Sequence, residues 1–200
     1  VNPLLPEAVQ ADMILASKSP RRIDILRSLA FEFDVVPPHD HVEESAQCED
    51  AHERAVVRAR LKAEDVASKH PDSLVIGADT VVIVDGESLE KPVDDGEAAR
   101  FLETLSGREH IVVTAIAVRK NSAGVDLSGS ESTRVFFREL SAEEISRYVA
   151  SGEGRDKAGS YAIQGIGAAL VRSIDGCFFN VVGLPVTCLF DLLRKVPAKT

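Results

Sequence analysis

Six consecutive residues, Ser17-Lys18-Ser19-Pro20-Arg21-Arg22, gather cations and hydroxyls where an apolar strand pattern gives way to a helical one. The amino end of a helix carries unpaired N–H groups and a partial positive charge, so acidic residues normally settle there. Arginines in the first turn oppose that field unless an anion fills the space. These residue types suit a polyphosphate, with Ser17 and Ser19 as hydroxyl donors and Arg21 and Arg22 as charge partners. A capped surface helix with solvated arginines accounts for the same residues. The glycines and the Gly-Lys-Ser ending of a Walker-type loop are missing.

Asp79 lies inside the apolar run Val75-Ile76-Gly77-Ala78-Asp79-Thr80-Val81-Val82. A carboxylate there is costly unless it is paired, metal-bound or solvated in a cleft. Glu90-Lys91-Pro92 follows an Asp85-Gly86 turn, and a hairpin can return Lys91 toward Asp79. A carboxylate and cations beside a phosphate cradle suit attack of water on phosphorus. The carboxylate takes the proton or holds a metal, and the cations stabilise charged oxygens. A structural Asp–Lys pair at a strand end is the alternative, and Lys62 on the long helix would ordinarily be solvated.

Small residues dominate Asp156-Lys157-Ala158-Gly159-Ser160-Tyr161-Ala162-Ile163-Gln164-Gly165, which lets backbone approach a ligand or another element. The amide of Gln164 offers both donor and acceptor and can read a pyrimidine edge, or it can serve as a core hydrogen bonder in a packed turn. Glu43 and Glu44 follow a proline-rich stretch and can supply metal oxygens, or stand in solvent. His39-Asp40-His41 lacks the further ligands that a zinc site needs.

These residues need a frame. A strand is expected over Met13–Ala16, a helix from Pro20 to about Leu29 capped by Ser19, and a strand over Phe33–Val36. A polar loop, His39 to Gln47, leads to a helix from Glu49 to about Lys69 whose apolar side holds Val56, Val57, Leu61 and Val66. Leu74–Val84 reads as a strand turning at Asp85-Gly86. A helix with Phe101, Leu102 and Leu105 follows Asp94 and stops at Gly107. His110–Arg119, Thr133–Phe137 and Ala168–Ile174 read as strands, Ser141 with Glu144 as a capping box for a helix ending near Gly152, and Pro185–Lys195 as the last helix. The sum is α/β, with helices on a mixed sheet. Residues 13–195 form one domain behind a polar lead-in, residues 1–12.

The net charge of -9 disfavours general duplex binding, so no nucleic-acid partner is expected. Three cysteines, Cys48, Cys177 and Cys188, with no Cys-x-x-Cys pair fit thiols in a reducing compartment. No apolar run reaches bilayer length and no signal pattern opens the chain, so a cytosolic protein without membrane contact is expected.

Four segments, in order, resemble the motifs of the Maf family. They are Leu15-Ala16-Ser17-Lys18-Ser19-Pro20-Arg21-Arg22, then Ile76-Gly77-Ala78-Asp79-Thr80-Val81-Val82 with Glu90-Lys91-Pro92, then Asp156-Lys157-Ala158-Gly159 through Ile163-Gln164-Gly165, and Asn180-Val181-Val182-Gly183-Leu184-Pro185. The resemblance covers roughly Ile14 to Leu193, nearly the whole chain. The resemblance implies a pyrophosphatase of nucleoside triphosphates, dependent on Mg²⁺ or Mn²⁺, with two lobes around a central cleft, and it suggests a homodimer. By motif position Asp79 matches the proton acceptor. Ser17, Arg22, Lys62, Lys91 and Gln164 match polar site residues, Lys62 through Arg60-Leu61-Lys62-Ala63. Arg21, Thr80 and Gln164 match positions tied to base preference. Asp79 and Glu44 are the expected metal carboxylates. The Ala-Asp-Thr form resembles the subfamily acting on dTTP and UTP. A 7-methyl-GTP pyrophosphatase, and a weakly catalytic nucleotide-binding regulator of cell division, are the alternatives. Lys18 stands where many relatives have a small residue.

Overall fold

The computed structural model describes residues 1–46 and 48–197; Gln47, the last residue of the expected polar loop, lies outside them. In chain order the elements are α1 (Glu7–Gln10), β1 (Met13–Ala16), α2 (Pro20–Ser28), β2 (Asp34–Val35), α3 (Ala51–Ala67), β3 (Leu74–Val84), β4 (Glu87–Leu89), α4 (Asp95–Leu105), β5 (Glu109–Lys120), β6 (Val125–Phe137), α5 (Ala142–Ser151), β7 (Val171–Asp175), α6 (Phe178–Val182) and α7 (Val186–Leu193). Short 3-10 segments lie at Val42–Ser45, Asn121–Ala123, Ala158–Ser160 and Gly165–Leu170. The sheet is mixed, as expected. Its order is β2-β1-β3-β5-β6-β7, with β4 on β3. β1 pairs in parallel with β2 and β3, while β3–β4 and β6–β7 are antiparallel.

Local chemistry sets most boundaries. Asp50, Asp94 and Ser141 each accept the backbone N–H three residues on, which starts α3, α4 and α5. Ser141 and Glu144 close the expected capping box, and Gly152 ends α5 at φ 72°. Asp85 and Gly86 both take positive φ, 52° and 84°, the conformation of a two-residue hairpin turn between β3 and β4.

The chain forms two compact units. One holds Val1–Asp79, Thr114–Glu131 and the chain from Gly183 on; the other holds Thr80–Val113 and Ser132–Val182. The core of the first includes Leu15, Leu26, Val75, Ile76, Ala115, Ile116 and Leu189, all buried. The core of the second joins Val82, Leu102, Leu105, Val135, Phe137, Ile145, Tyr148 and Tyr161. No helix among the described residues is long and apolar enough to cross a membrane, and none of Cys48, Cys177 and Cys188 is in a disulfide.

Several expectations need correction. The buried side of α3 is a stripe of small residues, Ala51, Ala55, Ala59, Ala63 and Ala67 with Val66, while Val56, Val57 and Leu61 are only half-buried. The reason lies on β3: a Cβ on Gly77 would meet Ala59 O at 2.4 Å and Ala63 N at 2.8 Å. Helix and strand approach so closely that large side chains do not fit between them. Strand β6 starts at Val125 rather than Thr133; its middle, Ser128-Gly129-Ser130-Glu131-Ser132, has no apolar alternation, which hides the earlier start in the sequence. The strand expected over Ala168–Ile174 begins at Val171 as β7, its first three residues belonging to the 3-10 segment Gly165–Leu170, and α6 was not foreseen. Ser19 occupies the N-cap position of α2, yet its side chain makes no capping bond. Residues 1–12 are tied down: Gln10 Nε2 donates to Asn2 O and Leu5 O, and Asn2 Nδ2 donates to Leu29 O at 2.7 Å.

Candidate active site

The parallel register of β1 and β3, Leu15 beside Ile76 and Ala16 beside Gly77, brings Ser17, just past the carboxyl end of β1, level with Ala78 midway along the longer β3. In open α/β sheets that end is where ligands collect. Ser17-Lys18-Ser19 and Ala78-Asp79 therefore meet because of strand pairing, not sequence proximity.

Arg22 is buried at the start of α2. Its Nη1 donates to Ser17 Oγ at 3.2 Å and to Ala78 O at 2.9 Å, and its Nε donates to Gly183 O at 2.8 Å. Burial pulls the guanidinium below its ordinary pKa; Asp79 and Glu43 raise it again, and neighbouring Arg21 works with burial. An arginine stays protonated through such shifts. Ser17 Oγ accepts from Arg22 and also from Ser19 N–H at 3.1 Å, so what its hydroxyl has left to offer is its proton. Helices α3, α4 and α5 all have a side-chain cap and acidic residues in the first turn, whereas α2 has neither. Its first turn carries Arg21 and Arg22 instead. Helix α7 also lacks both, so what sets α2 apart is the pair of arginines in its first turn. Lys18 pairs with Asp40 at 2.5 Å, both well exposed.

Lys62 reaches Asp79 from α3, and the glycine at position 77 is what lets α3 come so near. Lys62 Nζ donates to Asp79 Oδ1 at 2.6 Å and pairs with Glu43 as well. Lys62 and Asp79 side chains are 14% and 10% exposed, so this pair is screened far less than a surface one. Asp79 Oδ2 is buried and has no hydrogen-bond partner among the described residues. The neighbouring carboxylate that joins this cluster is Glu43. Glu44, the residue expected at the metal, turns instead to His41 Nδ1 at 2.5 Å.

No group of three or more His, Cys, Asp or Glu that could hold a metal stands among the described residues. Asp79, with its unpartnered oxygen, and Glu43 do fit a hard cation that draws its remaining ligands from phosphate and water, as Mg²⁺ does.

In the second unit, Lys91 lies just past β4, exposed, with no ion pair or hydrogen bond among the described residues. The β3–β4 register, Val82 opposite Leu89, continued by two residues, sets Lys91 level with half-buried Thr80. Gly159 N–H donates to Glu90 O at 3.2 Å, so the second and third motifs are neighbours. Gln164 is exposed and immediately precedes the 3-10 segment beginning at Gly165, whose φ is 71°. Asn180, of the fourth motif, is fully buried; its Nδ2 donates to Val112 O and Thr133 Oγ1. The role of Gly183, whose carbonyl holds Arg22, escaped sequence reasoning, since a backbone acceptor leaves no side-chain signal.

Residues 12–196 match the family model described as Maf-like protein. A dTTP/UTP pyrophosphatase of Carboxydothermus hydrogenoformans is 46% identical over 90% of this chain and 96% of its own. One from Caldanaerobacter subterraneus is 47% identical over 92% and 88%, and one from Dictyoglomus thermophilum 43% over 94% and 97%. Among solved structures, a HAM1 protein from Coxiella burnetii and the Staphylococcus aureus Ham1 protein are each 17% identical, cover 62% of this chain and 72% and 71% of theirs, and give TM-scores of 0.41 and 0.43. With its four motifs in order and its family match running almost end to end, this chain belongs to the Maf-like protein family.

Proposed function

We propose that the chain hydrolyses nucleoside triphosphates, dTTP and UTP foremost, to the monophosphate and pyrophosphate. The observation that carries the chemistry is the asymmetry of Asp79: Lys62 fixes Oδ1, while Oδ2 is buried with no hydrogen-bond partner among the described residues, beside a cationic helix end. The substrate follows the family and the dTTP/UTP pyrophosphatases among its relatives.

In this reading Ser17, Arg21 and Arg22 hold the phosphate chain, with Ser19 adding a hydroxyl and Lys91 neutralising further charge. Water attacks the α-phosphorus. Its proton passes to Asp79 Oδ2 as the new P–O bond forms, and the bond between the α-phosphorus and the bridging oxygen breaks. Pyrophosphate leaves with the bond's electron pair. Lys62 keeps the carboxylate oriented and offsets the charge that builds up around it. Mg²⁺ or Mn²⁺, held by Glu43 while Asp79 Oδ2 is left to the proton of water, would supply charge neutralisation on phosphate oxygens. Thr80 and Gln164 select the base. A reducing, aqueous compartment suits three cysteines without a disulfide.

Product analysis on UTP, dTTP, CTP, GTP and 7-methyl-GTP tests this. Monophosphate with pyrophosphate, fastest from UTP and dTTP, is expected. Release of orthophosphate, or a preference for 7-methyl-GTP, overturns the reaction or the substrate respectively. UTP binding without turnover in the presence of Mg²⁺ or Mn²⁺ would leave a regulator.

A further inference from the structure

We infer that Tyr148 and Glu153 form a clamp that positions Gln164 for reading the base; the inference rests on Gln164 being the base-reading residue.

Both clamp residues belong to the second unit, on and just after α5. Tyr148 is anchored by its ring, which is buried in the core with Leu102, Ile145 and Tyr161. Beyond Gly152 the chain leaves the helix and Glu153 turns back. Its Oε1 accepts Ile166 N–H at 2.9 Å, and its Oε2 accepts Gly167 N–H at 2.8 Å and the Tyr148 hydroxyl at 2.8 Å. The Tyr148 oxygen in turn accepts Ala162 N–H at 3.1 Å. One tyrosine–glutamate pair therefore grips the backbone two residues before Gln164 and again two and three residues after it.

The grip leaves no slack. A Cβ on Gly165 would lie 2.2 Å from Glu153 Oε1, and one on Gly167 would lie 2.7 Å from the Tyr148 oxygen. Gly165 also holds φ 71°, where a side chain is strained. Burial acts to raise the Glu153 pKa, yet the hydrogen bonds from Ile166, Gly167 and Tyr148, with Lys157 nearby, hold it below the ordinary carboxylate value. Glu153 thus stays an acceptor for all its donors at neutral pH.

Gln164 is exposed within this fixed stretch, and its amide makes no hydrogen bond among the described residues. Exposure sets aside the role of core hydrogen bonder in a packed turn. The clamp holds the turn without using the Gln164 amide, which leaves that amide open to a ligand. Fixing the backbone on both sides removes most of the freedom that binding would otherwise have to restrain.

The experiment uses Tyr148→Phe, Glu153→Gln, Gln164→Ala and the two doubles with Gln164→Ala, assayed with UTP and GTP and by thermal unfolding. Each clamp variant is expected to raise the KM for UTP about tenfold with kcat nearly kept, and to shrink the preference for UTP over GTP. On the Gln164→Ala background each should add little, because the clamp acts through that residue. Effects that multiply in the doubles overturn the clamp's link to Gln164, as does a lowered unfolding temperature with base preference intact. A Gln164→Ala protein with unchanged KM and preference removes the base-reading role and the clamp's purpose with it. Gln164→Ala that loses preference while both clamp variants keep it removes the clamp alone. Tyr148→Phe takes away one hydroxyl and carries the same test should Glu153→Gln fail to fold.

Discussion

Lys62 holds one oxygen of Asp79 at 2.6 Å and leaves the other without a hydrogen bond among the described residues. A carboxylate serving only to neutralise a lysine in a protein interior would be surrounded by donors on both oxygens, since an unmet buried acceptor is costly. The one-sided arrangement is what a proton acceptor needs: orientation through one atom and capacity on the other.

Asp79→Asn should therefore separate binding from turnover. The amide keeps the shape and can still accept from Lys62, but it cannot take a proton from water. UTP affinity, measured by calorimetry, should stay within a few-fold, while pyrophosphate release falls by about 10²- to 10⁴-fold. Release at the parent rate would take Asp79 out of the chemistry.

Lys62 also separates two carboxylates, Asp79 and Glu43. Lys62→Met leaves those like charges facing each other, so both turnover and the urea midpoint should drop. Adding Glu43→Gln relieves the repulsion. The double variant should regain much of the lost stability and none of the lost turnover. Recovery of both would mean that Lys62 only stabilises the fold.

How far the sequence announced this site depended on the kind of contact. Asp79 stood out because a charge inside an apolar strand demands a reason, and Arg21 and Arg22 stood out because they sit against a helix field. Which carboxylate turns toward Lys62 is a matter of side-chain direction in a short 3-10 segment, and two adjacent glutamates, Glu43 and Glu44, have no pattern that tells them apart. The alanine face of α3 was hidden for a related reason. Reading amphipathicity weights large apolar residues, whereas here the tightest packing is made by the smallest ones against Gly77. The first half of β6 is held by strand pairing with little apolar burial, so hydrophobic periodicity could not find it.

Gly77→Ala tests the link between that packing and the site. The added methyl would meet backbone atoms, Ala59 O at 2.4 Å and Ala63 N at 2.8 Å, which cannot rotate away as a side chain could. Helix α3 has to shift outward, carrying Lys62 with it. A stability loss of about 1–3 kcal/mol in chemical denaturation is expected from overpacking. Turnover of the folded fraction should fall as well, because the Lys62–Asp79 bond is short and directional. Stability loss with full turnover would show that Lys62 reaches Asp79 independently of the helix position.

His110 gives the fold a pH dependence of its own. Its ring is buried between Phe137 and Tyr161, with Nε2 2.7 Å from the Tyr161 oxygen and Nδ1 without a hydrogen-bond partner among the described residues. Burial lowers its pKa from 6.5 to about 4. Between those values the unfolded chain binds a proton that the folded one refuses, so stability rises with pH across that interval. The contribution is complete above pH 6.5 and is lost progressively as pH falls toward 4, about 3 kcal/mol at its full extent. His110→Gln can keep a hydrogen bond to Tyr161 but does not titrate. Urea midpoints measured from pH 4.5 to 7.5 should fall more steeply in the parent protein than in this variant below pH 6.5, and run parallel above it. Parallel curves over the whole range would assign the acid sensitivity to other groups.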